Sequence, residues 1–384
     1  MKIIHCADLH LDSKLNTNLD GAKKRERKAE LLNTFTRMID YAVENDVRAV
    51  IIAGDMFDTK NVSVTARNTV SQAIISNPDI TFYYLKGNHD ADGFLNQLEV
   101  IPDNLKLFAD TWTSYEICGD DKAMQMSPSK DNTHVNRCKV TITGVELNKD
   151  NSSYIYSALV LDNDKINIVV LHGQESNYTA KNKVENISIG DLKNKGIDYL
   201  ALGHIHSYKE EILDTRGVYC YPGCLEGRGF DECGEHGFVL LDIDEEKGNI
   251  QRSFVPFAKR RLHTVYADVT DCMTTPDISE VIKGVLGREN IPETDMVKLV
   301  LTGKVDALCE KDISVLLSQF QGDYYFLKIY DETNLAVDFN EFRHDESLKG
   351  EFVRIVMDDD GLTEEMKAEI IRCGVFALSG EEIV

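Results

Sequence analysis

Five apolar segments in the first part of the chain each end at side chains that can bind a metal ion. The clearest runs from Val47 to Ala53, and its nearly continuous apolar character predicts a strand that is buried on both faces. Gly54 ends this segment, and Asp55 follows where the strand would leave the sheet. The other four cover residues 1–7, 81–85, 166–171 and 197–202 and lead, in this order, to Asp8 and His10, to Asn88, His89 and Asp90, to His172, and to His204 and His206. Because ligands collect at the carboxyl ends of strands in open α/β sheets, we expect these side chains to form one site.

Amphipathic helices are predicted between these strands. Leu31, Phe35, Met38 and Ala42 keep helical spacing after the first strand. A second helix is expected from about residue 62 to residue 76. The alternation of strands and helices predicts right-handed βαβ units and a largely parallel sheet.

Less regular segments follow. Residues 112–138 are polar and irregular, and we expect an exposed excursion there with no chemical role. Residues 174–190 predict a long polar loop after His172, which is a reasonable place for substrate contacts. Three shorter apolar segments, at 218–221, 237–243 and 252–257, predict antiparallel strands of a second sheet.

The last third of the chain has the pattern of a smaller α/β unit. A strand at 264–269, a helix at 278–286 and a strand at 296–301 are followed by helices around 348–356 and 364–373. Thr363 is predicted to cap the last helix and Gly374 to end it. We therefore expect three parts: a large domain over 1–260, a small α/β domain over 261–340 and a helical segment over 341–384.

Charge is distributed unevenly along the chain. The formal net charge is -23, and the part from Leu262 onward holds 26 Asp and Glu residues against 11 Lys and Arg residues. An acidic balance argues against a free-standing nucleic-acid binder that relies on phosphate contacts, although it leaves room for a basic groove near the site. The acidic last third is either a solvated surface or a docking face for a basic partner.

Cysteine usage and hydropathy indicate an intracellular protein. The nine cysteines are scattered and form no C-x-x-C pair, so we expect reduced thiols and a cytoplasmic location. No leader sequence is expected, because Asp8 already stands among the candidate ligands. No apolar segment is long enough to cross a bilayer, so no membrane partner is expected.

Carboxylates and imidazoles in this pattern favour a centre of two metal ions. Imidazole combined with carboxylate suits Mn, Fe or Zn, and a carboxylate can bridge two ions. Two ions about 3.5–4 Å apart would hold the attacking and departing oxygens of an in-line displacement at phosphorus. Asp55 follows the central strand and is the natural candidate for the shared ligand. A lone histidine at a strand end is usually structural, but so many candidates at five strand ends favour metal binding.

Two basic features near these residues have alternative interpretations. The run from Lys23 to Lys28 is either a solvated first helical turn or a contact for a phosphate backbone. Arg228, close to Tyr221-Pro222-Gly223, is either a phosphate contact or part of a structural ion pair. We treat Arg228 and Tyr221 as candidate substrate-binding residues.

The motif series resembles that of the calcineurin-like metallophosphoesterases, and it extends over residues 1–242. Within this family, three motifs most resemble those of the SbcD-type DNA repair exonucleases and their YhaO-like bacterial relatives. They are Cys6-Ala7-Asp8-Leu9-His10-Leu11, Gly54-Asp55-Met56-Phe57-Asp58 and Tyr221-Pro222-Gly223. In several archaeal and eukaryotic members a histidine stands where this chain has Asp58. This chain therefore either lacks the contribution of that histidine or resembles a bacterial branch that works without it.

The resemblance implies a fold and a set of roles. The fold would be a four-layer α/β sandwich, two facing mixed β-sheets flanked by helices, followed by a small capping domain and terminal helices. The centre would hold two divalent ions, Mn²⁺ before Fe or Zn, with His89 as the general acid and Asp90 orienting its ring. The first ion would be bound by Asp8, His10, Asp55 and His206, and the second by Asp55, Asn88, His172 and His204.

Three hypotheses for the function follow. The favoured one is a DNA exonuclease or endonuclease of the DNA repair type that works with an SbcC-like coiled-coil ATPase, which would dock on the terminal helices and supply basic surface. The second is a phosphodiesterase for nucleotides or other small phosphodiesters, which the net charge of -23 favours. The third is a catalytically silent scaffold that binds metal only for folding. The sequence leaves open whether two copies form a homodimer.

Overall fold

A computed structural model describes most of the chain. The described residues are 1–15, 17, 19–58, 62–88, 90, 94–95, 100–118, 139–176, 186–306, 309–336 and 345–379. The chain divides into two compact units, Met1–Arg261 and Leu262–Val384. Each unit has hydrophobic clusters of its own, and the candidate site lies in the first.

The first unit is built mainly of strands. In chain order its elements are β1 (Lys2–Cys6), α1 (Gly21–Glu44), β2 (Val47–Ala53), α2 (Val64–Ile75), β3 (Thr81–Leu85), β4 (Leu105–Leu107), β5 (Thr113–Ile117), β6 (Val140–Gly144), β7 (Ile166–His172), β8 (Gln174–Ser176), β9 (Asn186–Ser188), α3 (Ile189–Leu192), β10 (Tyr199–Gly203), β11 (Lys209–Ile212), β12 (Val218–Tyr221), β13 (Gly237–Asp244) and β14 (Asn249–Pro256). A 3-10 turn covers Ile155–Ala158, between β6 and β7.

Two six-stranded mixed sheets form the frame of this unit within the described residues. Sheet 1 has the strand order β14-β13-β1-β2-β3-β4, in which β1 to β4 are parallel and β13 is antiparallel to both of its neighbours. Sheet 2 has the order β11-β12-β10-β7-β6-β5, in which the four central strands are parallel and the two edge strands antiparallel. β8 and β9 form a separate two-stranded ribbon.

The apolar sequence of β2 explains how the layers stack. Val50 and Ile52 are fully buried in the core that α1 and α2 cover. Ile51 and Ala53 point the other way, into a second core that sheet 1 shares with sheet 2. A third core lies on the opposite face of sheet 2, against the 3-10 turn and α3. The predicted four-layer sandwich is therefore confirmed, and each fully buried Val or Ile side chain in it contributes about 1.5–3 kcal/mol.

Helix α1 has the predicted apolar stripe and a capped first turn. The side chain of Asp20 accepts hydrogen bonds from the amides of Ala22 and Lys23, which satisfies two donors that the helix leaves unpaired. Phe35 and Met38 from the predicted stripe are fully buried. The stripe thus fixes the helix against sheet 1.

Arg27, which lies within the basic run, is buried. Its guanidinium pairs with Glu30 and Glu226 and donates to the carbonyl oxygen of Gly227 at 2.7 Å. Arg260 also pairs with Glu30, at 2.7 Å. Arg27 therefore forms an internal ion pair and is neither a solvated side chain nor a phosphate contact. This ion pair links α1 to the segment after β12.

The prediction that the three strands after His206 form one antiparallel sheet is wrong. β12 lies parallel to β10 in sheet 2, whereas β13 extends sheet 1 by pairing with β1, with Lys2 opposite Asp242. An apolar alternation marks a strand, but it does not say which sheet edge the strand joins, because either edge can satisfy its hydrogen bonds.

Two segments predicted to be irregular contain strands. Residues 113–117 of the expected excursion form β5, which pairs with β6. The two ends of the expected loop over 174–190 form β8, β9 and the start of α3. Residues 119–138 and 177–185 lie outside the described residues.

The second unit alternates strands and helices. Its elements are β15 (Leu262–Asp268), α4 (Thr275–Glu289), β16 (Met296–Thr302), β17 (Lys304–Asp306), α5 (Ile313–Phe320), β18 (Phe326–Asp331), β19 (Asn334–Ala336), α6 (Leu348–Met357) and α7 (Glu364–Ser379). A parallel sheet with the order β15-β16-β18 packs against α4 and α5. The elements predicted here are all present, and α5, β17, β18 and β19 are additional.

The last helix begins as predicted but ends later. The hydroxyl of Thr363 accepts from the amide of Met366 at 3.3 Å, as an N-cap does. Gly374 lies inside α7, which continues to Ser379, so the predicted stop is wrong. A Cβ at Gly374 would lie 2.1 Å from Cε1 of Phe352 in α6. The glycine therefore permits close packing of two helices instead of ending one.

The sequence also predicts reduced cysteines and no membrane-spanning segment, and the structure can be compared with both predictions. Seven cysteines of the described part are free thiols, whereas Cys118 is disulfide-bonded, so the expectation of reduced cysteines throughout is wrong at Cys118. Among the helices that the structure describes, none is both long enough and apolar enough to span a membrane.

Candidate functional site

The polar ends of strands from both sheets meet in the first unit. The amide of His204, after β10, donates to the two carboxylate oxygens of Asp8, after β1, at 3.0 and 2.9 Å. Nδ1 of His172, at the end of β7, lies 2.9 Å from the carbonyl oxygen of Ala53, the last residue of β2. These contacts bring the carboxyl ends of sheet 1 against those of sheet 2.

Several of these residues have a strained backbone. Asp8, His10, Asp55 and His204 have positive φ angles of 52°, 45°, 52° and 105°. Such backbone conformations cost about 1–3 kcal/mol each in non-glycine residues, and they cluster where function requires them and the surroundings hold them. Here the loop after β1 and the loop after β2 hold each other. The amide of His10 donates to the carbonyl oxygen of Asp55 at 3.0 Å, and the amide of Asp8 donates to the carbonyl oxygen of Gly54 at 3.1 Å.

Two glycines let the loops approach the candidate ligands closely. A Cβ at Gly54, where φ is 93°, would lie 2.1 Å from Nδ1 of His172. A Cβ at Gly87 would lie 2.2 Å from Oδ1 of Asp55. A larger residue at either position would displace an imidazole or a carboxylate of the site.

One group of candidate ligands consists of Asp8, His10 and His206, with one ligand atom from each within 4.8 Å of the others. The Nε2 atoms of His10 and His206 are 3.3 Å apart, and the planes of the two rings make an angle of 74°. Both Nε2 atoms therefore face one point, as the ligands of a single ion would.

A second group consists of Asp8, Asp55 and His172, again within 4.8 Å of one another. Nε2 of His172 lies 3.3 Å from Oδ2 of Asp55 and 2.9 Å from Oδ1 of Asn88. The ring of His204 stands edge-on to that of His172, with centroids 5.5 Å apart. The structure thus brings the other two candidates, Asn88 and His204, next to this group.

Asp8 belongs to both groups, whereas Asp55 belongs only to the second. The expectation from the sequence makes Asp55 the shared ligand. The two carboxylates are both buried, with exposed fractions of 0% for Asp8 and 1% for Asp55. The geometry therefore offers two candidates for a carboxylate that bridges two ions.

The carboxylates of this site are buried, so their negative charge must be neutralised by nearby positive charge. Burial raises the pKa of Asp8 to about 7, although His172 and His206 partly offset it. Burial acts to lower the pKa of His172, but the hydrogen bond to Asp55 and the charges of Asp55 and Asp8 together raise it to about 9. The hydrogen bond to Glu232 likewise raises the pKa of His206. Protons or cations must therefore neutralise the carboxylates here.

The donor set fits divalent metal ions. The contact of Nδ1 of His172 with the carbonyl oxygen of Ala53 places a ring proton on Nδ1, so Nε2 is the atom that faces Asp55 and Asn88. A nitrogen that faces oxygen atoms must carry a proton or bind a metal ion, so Nε2 of His172 can exchange its proton for a metal ion. Two buried carboxylates with four imidazoles make a combination that suits Mn, Fe or Zn.

Asp90 holds the loops around the site together. Its carboxylate accepts from the amides of Met56, Phe57 and Gly87 at 3.2, 2.9 and 3.0 Å. Burial raises its pKa against the effect of these hydrogen bonds. Its neighbour His89, the predicted general acid, lies outside the described residues. The orientation of His89 by Asp90 therefore stays a prediction.

Tyr221 lies in the interior of the first unit. Its side chain is fully buried. Its hydroxyl donates to the carbonyl oxygen of Gly173 at 3.0 Å and accepts from the amide of Glu175 at 2.8 Å. Tyr221 therefore fixes the loop that follows His172, and a role for it in substrate binding stays a prediction.

Replacing Tyr221 by Phe is expected to lower the free energy of unfolding by about 1–3 kcal/mol, because two buried backbone groups lose their partner. Urea unfolding of Tyr221→Phe measures this loss. Tyr208→Phe is the control, because it removes a hydroxyl from a side chain that is 40% exposed. It should change the free energy of unfolding by less than about 0.5 kcal/mol. Equal effects of the two substitutions would contradict the bridging role of the Tyr221 hydroxyl.

Arg228 lies in an ion-pair network beside the first group. It pairs with Glu232 at 2.6 Å and faces Asp58 at 3.6 Å. Glu232 lies 2.7 Å from Nδ1 of His206, and Asp58 lies 3.3 Å from Nδ1 of His10. Of the two interpretations of Arg228, the structure favours the ion pair.

Sequence reasoning missed Glu232. Burial opposes its ionisation, but hydrogen bonds from His206 and Arg228 outweigh burial and lower its pKa. The residue stands in an irregular, glycine-containing segment that matches no motif. Its spacing of four residues from Arg228 is a signal that could have suggested an ion pair, but nothing in the sequence links it to His206.

Comparisons with known proteins agree with this chemistry. The family model "Calcineurin-like phosphoesterase" matches residues 1–208. The uncharacterized metallophosphoesterase YhaO of Bacillus subtilis is 26% identical over 319 residues, which cover 79% of this chain and 72% of that protein. The DNA double-strand break repair protein Mre11 of Sulfolobus acidocaldarius is 24% identical over 257 residues, which cover 65% of this chain and 62% of that protein. The match thus spans less than two thirds of the length of the Sulfolobus protein.

Two solved structures are similar over part of the chain. One is a Thermus thermophilus protein with a TM-score of 0.40 and 14% identity, covering 66% of this chain and 98% of its own. The other is a dimetal phosphatase of Danio rerio with a TM-score of 0.35 and 9% identity, covering 63% of this chain and 92% of its own.

The matched region settles the family. Residues 1–208 are more than half of the 384 residues and include every candidate metal ligand. Members of this family depend on two metal ions, and the two ligand groups described above can hold metal. The chain therefore belongs to the calcineurin-like phosphoesterases and is a metal-dependent hydrolase that acts on phosphoester bonds.

Proposed function

We propose that this hydrolase is a DNA exonuclease or endonuclease of the DNA repair type that works with an SbcC-like coiled-coil ATPase. Its main support is the likeness to Mre11, a DNA double-strand break repair protein, over 65% of the chain. The likeness to YhaO covers 79% of the chain, which is more than the first unit, Met1–Arg261, contains. It therefore extends into the second unit, which is consistent with a role for that unit beyond phosphoester hydrolysis itself.

The same proposal assigns the ligands of two ions. One ion is assigned to Asp8, His10, Asp55 and His206, and the other to Asp55, Asn88, His172 and His204. The 3.3 Å between the Nε2 atoms of His10 and His206 supports the first assignment. The contacts of Nε2 of His172 with Asp55 and Asn88 support the second. Mn²⁺ is the proposed metal, and Fe or Zn suits the same donors.

In this mechanism the protein supplies positions and a proton. Two divalent ions, when bound, provide Lewis acidity for an in-line displacement at phosphorus. The carbonyl oxygen of Ala53 keeps the Nε2 lone pair of His172 directed into the site, and the amide of His204 holds the carboxylate of Asp8. His89 is proposed to donate a proton to the departing oxygen, with Asp90 orienting its ring.

The acidic surface makes a protein partner part of the proposal. The net charge is -23, and the chain from Leu262 onward has 26 acidic against 11 basic residues. Such a surface weakens binding to a DNA backbone, so the ATPase would supply the basic contacts. We assign residues 261–340 to a small capping-type α/β domain and docking of the ATPase to the helical segment 341–384.

The same charge favours a second candidate function, a phosphodiesterase for nucleotides or other small phosphodiesters. A small substrate makes few phosphate contacts and needs no extended basic groove. The chemistry and the ligand assignment are the same for both candidates.

Cleavage assays distinguish the two candidates. The full-length protein with Mn²⁺, alone and with the ATPase, is given linear duplex DNA and a small nitrophenyl phosphodiester. The proposal predicts degradation of DNA, fastest in the complex. Turnover of the small ester without DNA cleavage under either condition would support the second candidate.

The proton donor has its own test in the same assay. His89→Gln is expected to lower the rate about 10²–10⁴-fold, as loss of a general acid does, while metal binding stays normal. His263→Gln, in the second unit, is the matched control and should retain full activity. Unchanged hydrolysis by His89→Gln would contradict the role assigned to His89.

A further inference from the structure

His10 and His206 each have a carboxylate at the ring nitrogen that faces away from the site. Nδ1 of His10 lies 3.3 Å from Oδ1 of Asp58, and Nδ1 of His206 lies 2.7 Å from Oε1 of Glu232. An ionised carboxylate only accepts hydrogen bonds, so the 2.7 Å contact with Glu232 places the ring proton of His206 on Nδ1. The lone pair of His206 is then on Nε2, which lies 3.3 Å from Nε2 of His10. The contact of His10 with Asp58 is an ion-pair distance without hydrogen-bond geometry, so Asp58 acts on the His10 ring through its charge.

A single guanidinium joins the two carboxylates. Arg228 contacts Glu232 through Nη2 at 2.6 Å and through Nε at 3.3 Å, and its Nη1 lies 3.6 Å from Oδ1 of Asp58. The amide of Arg228 also donates to Glu232, at 2.7 Å. Asp58 follows β2 and Glu232 follows β12, so their proximity depends on the tertiary fold. Without the guanidinium, two neighbouring carboxylates would repel each other.

The same guanidinium does not compete for the ring nitrogen. Nη2 of Arg228 lies 3.1 Å from Nδ1 of His206. That nitrogen already donates to Glu232 at 2.7 Å, so it has no lone pair left with which to accept. The contact places the guanidinium against the ring and leaves its tautomer unchanged.

These charges are largely shielded from water. The exposed fractions of the side chains are 16% for Arg228, 6% for Glu232 and 23% for Asp58. Ion pairs with this degree of burial are stronger than those on an open surface, and a bidentate arginine fixes geometry as well as charge.

From this arrangement we propose that Arg228 is a positioning residue, which acts through Asp58 and Glu232 to set His10 and His206 as a preformed pair of Nε2 ligands. The inference rests on the proposed function, because it takes the two-ion ligand set as given. It adds that one of the two ions depends on Arg228.

The proposed ligands of the other ion are held by different contacts. Nδ1 of His172 contacts the carbonyl oxygen of Ala53, and its Nε2 lies next to Asn88. No contact of the described residues links Arg228 to His172 directly. Loss of Arg228 should therefore affect the two ions unequally.

Metal titration of the full-length protein tests this inequality. Mn²⁺ binding is followed by calorimetry and elemental analysis, and the coupling of two bound ions by electron paramagnetic resonance. The wild type is expected to bind two ions and to give the spectrum of a coupled pair. Arg228→Gln is expected to bind one of them about 10–100-fold more weakly and, at two equivalents of Mn²⁺, to show uncoupled ions. Arg228→Lys keeps the charge without the bidentate geometry, so it should restore part of the affinity.

A matched control removes another bidentate arginine from the same unit. Nε and Nη2 of Arg216 each lie 2.9 Å from an oxygen of Asp198. Asp198 directly precedes β10, so this pair lies at the N-terminal end of the strand, whereas the candidate site lies at its C-terminal end. Arg216→Gln should bind two ions with the affinities of the wild type.

The outcomes separate this inference from the proposed function. Two ions bound by Arg228→Gln with wild-type affinities, or a coupled spectrum identical to that of the wild type, would overturn the positioning role. If circular dichroism shows that Arg228→Gln does not fold, Asp58→Asn and Glu232→Gln each remove one link, and an unchanged affinity in both would overturn it equally. A wild-type protein that binds only one ion would contradict the two-ion function instead, whatever the variants do.

Discussion

Replacing Asp55 by Asn is expected to lower the rate of phosphoester hydrolysis at least about 10³-fold while the fold stays intact. The Asp55 side chain is buried, and its Oδ2 lies 3.3 Å from Nε2 of His172. In the proposed centre this carboxylate would be shared by both ions, so loss of its charge would weaken the binding of both. Asn is one of the few residues that tolerate a φ of 52°. The substitution therefore removes a charge without straining the backbone further.

Steady-state assays and metal analysis of Asp55→Asn measure this effect. The matched control is Asp198→Asn, which removes a carboxylate that pairs with Arg216 in the same unit but lies outside the site. Its rate should stay within about tenfold of that of the wild type. If Asp55→Asn kept both its metal ions and its activity, Asp55 could not be the shared ligand, and Asp8, which belongs to both ligand groups, would take that place.

Replacing Asp8 by Asn is expected to stabilise the metal-free protein at pH 8 by about 2 kcal/mol although it abolishes hydrolysis. Asp8 is fully buried, and burial together with the nearby charge of Asp55 makes its ionised form unfavourable. An amide at this position has no charge to neutralise. The buried carboxylate of Asp8 thus lowers the stability of the metal-free protein while it provides a ligand for cations, as is common at functional sites.

The pH dependence of this stability gain follows from the direction in which burial shifts the pKa of Asp8. The pKa of Asp8 in the folded protein, about 7, is above its ordinary value of 3.8, so the stability that depends on this group is fully present below that ordinary value and is lost as the pH rises through 7. A shift of this size corresponds to at most about 4 kcal/mol. The charge of Asp8 also helps to raise the pKa of His172, and losing that interaction reduces the net gain.

Urea unfolding in EDTA at pH 5 and pH 8 measures the difference between Asp8→Asn and the wild type. The gain should be largest at pH 8 and clearly smaller at pH 5, where the pH is little more than one unit above the ordinary value of 3.8, and saturating Mn²⁺ should make the wild type the more stable protein. Asp242→Asn, which alters an exposed carboxylate on β13, is the control and should show no such dependence. A wild type that is at least as stable as Asp8→Asn at pH 8 without metal would refute the prediction.

The parallel core of the fold was readable from the sequence because its signals are local. The segment 47–53 is apolar at six of its seven positions, which is typical of a strand buried on both faces, and it forms β2 with those bounds. Residues 81–85 form β3 for the same reason. The polar residues that follow such strands were also recognisable, because burial ends where the strand does.

Other features depend on contacts between distant segments, which no local pattern records. β13 carries an ordinary alternation, but only its register with β1 places it in sheet 1. Tyr221 lies in a motif segment, yet its hydroxyl bonds to the loop after His172 and not to the site. Glu232 became significant only when the fold set it 2.7 Å from His206. In each case the tertiary structure, and not the residue type, decides the role.

The candidate ligands are divided between the two sheets. Asp8, His10, Asp55 and Asn88 follow strands of sheet 1, whereas His172, His204 and His206 belong to strand ends of sheet 2. A folding intermediate in which only one sheet had formed would offer an incomplete coordination sphere and would bind ions weakly. Tight metal uptake would therefore come late, after the sheets have docked, and would report that the first unit has completed its folding.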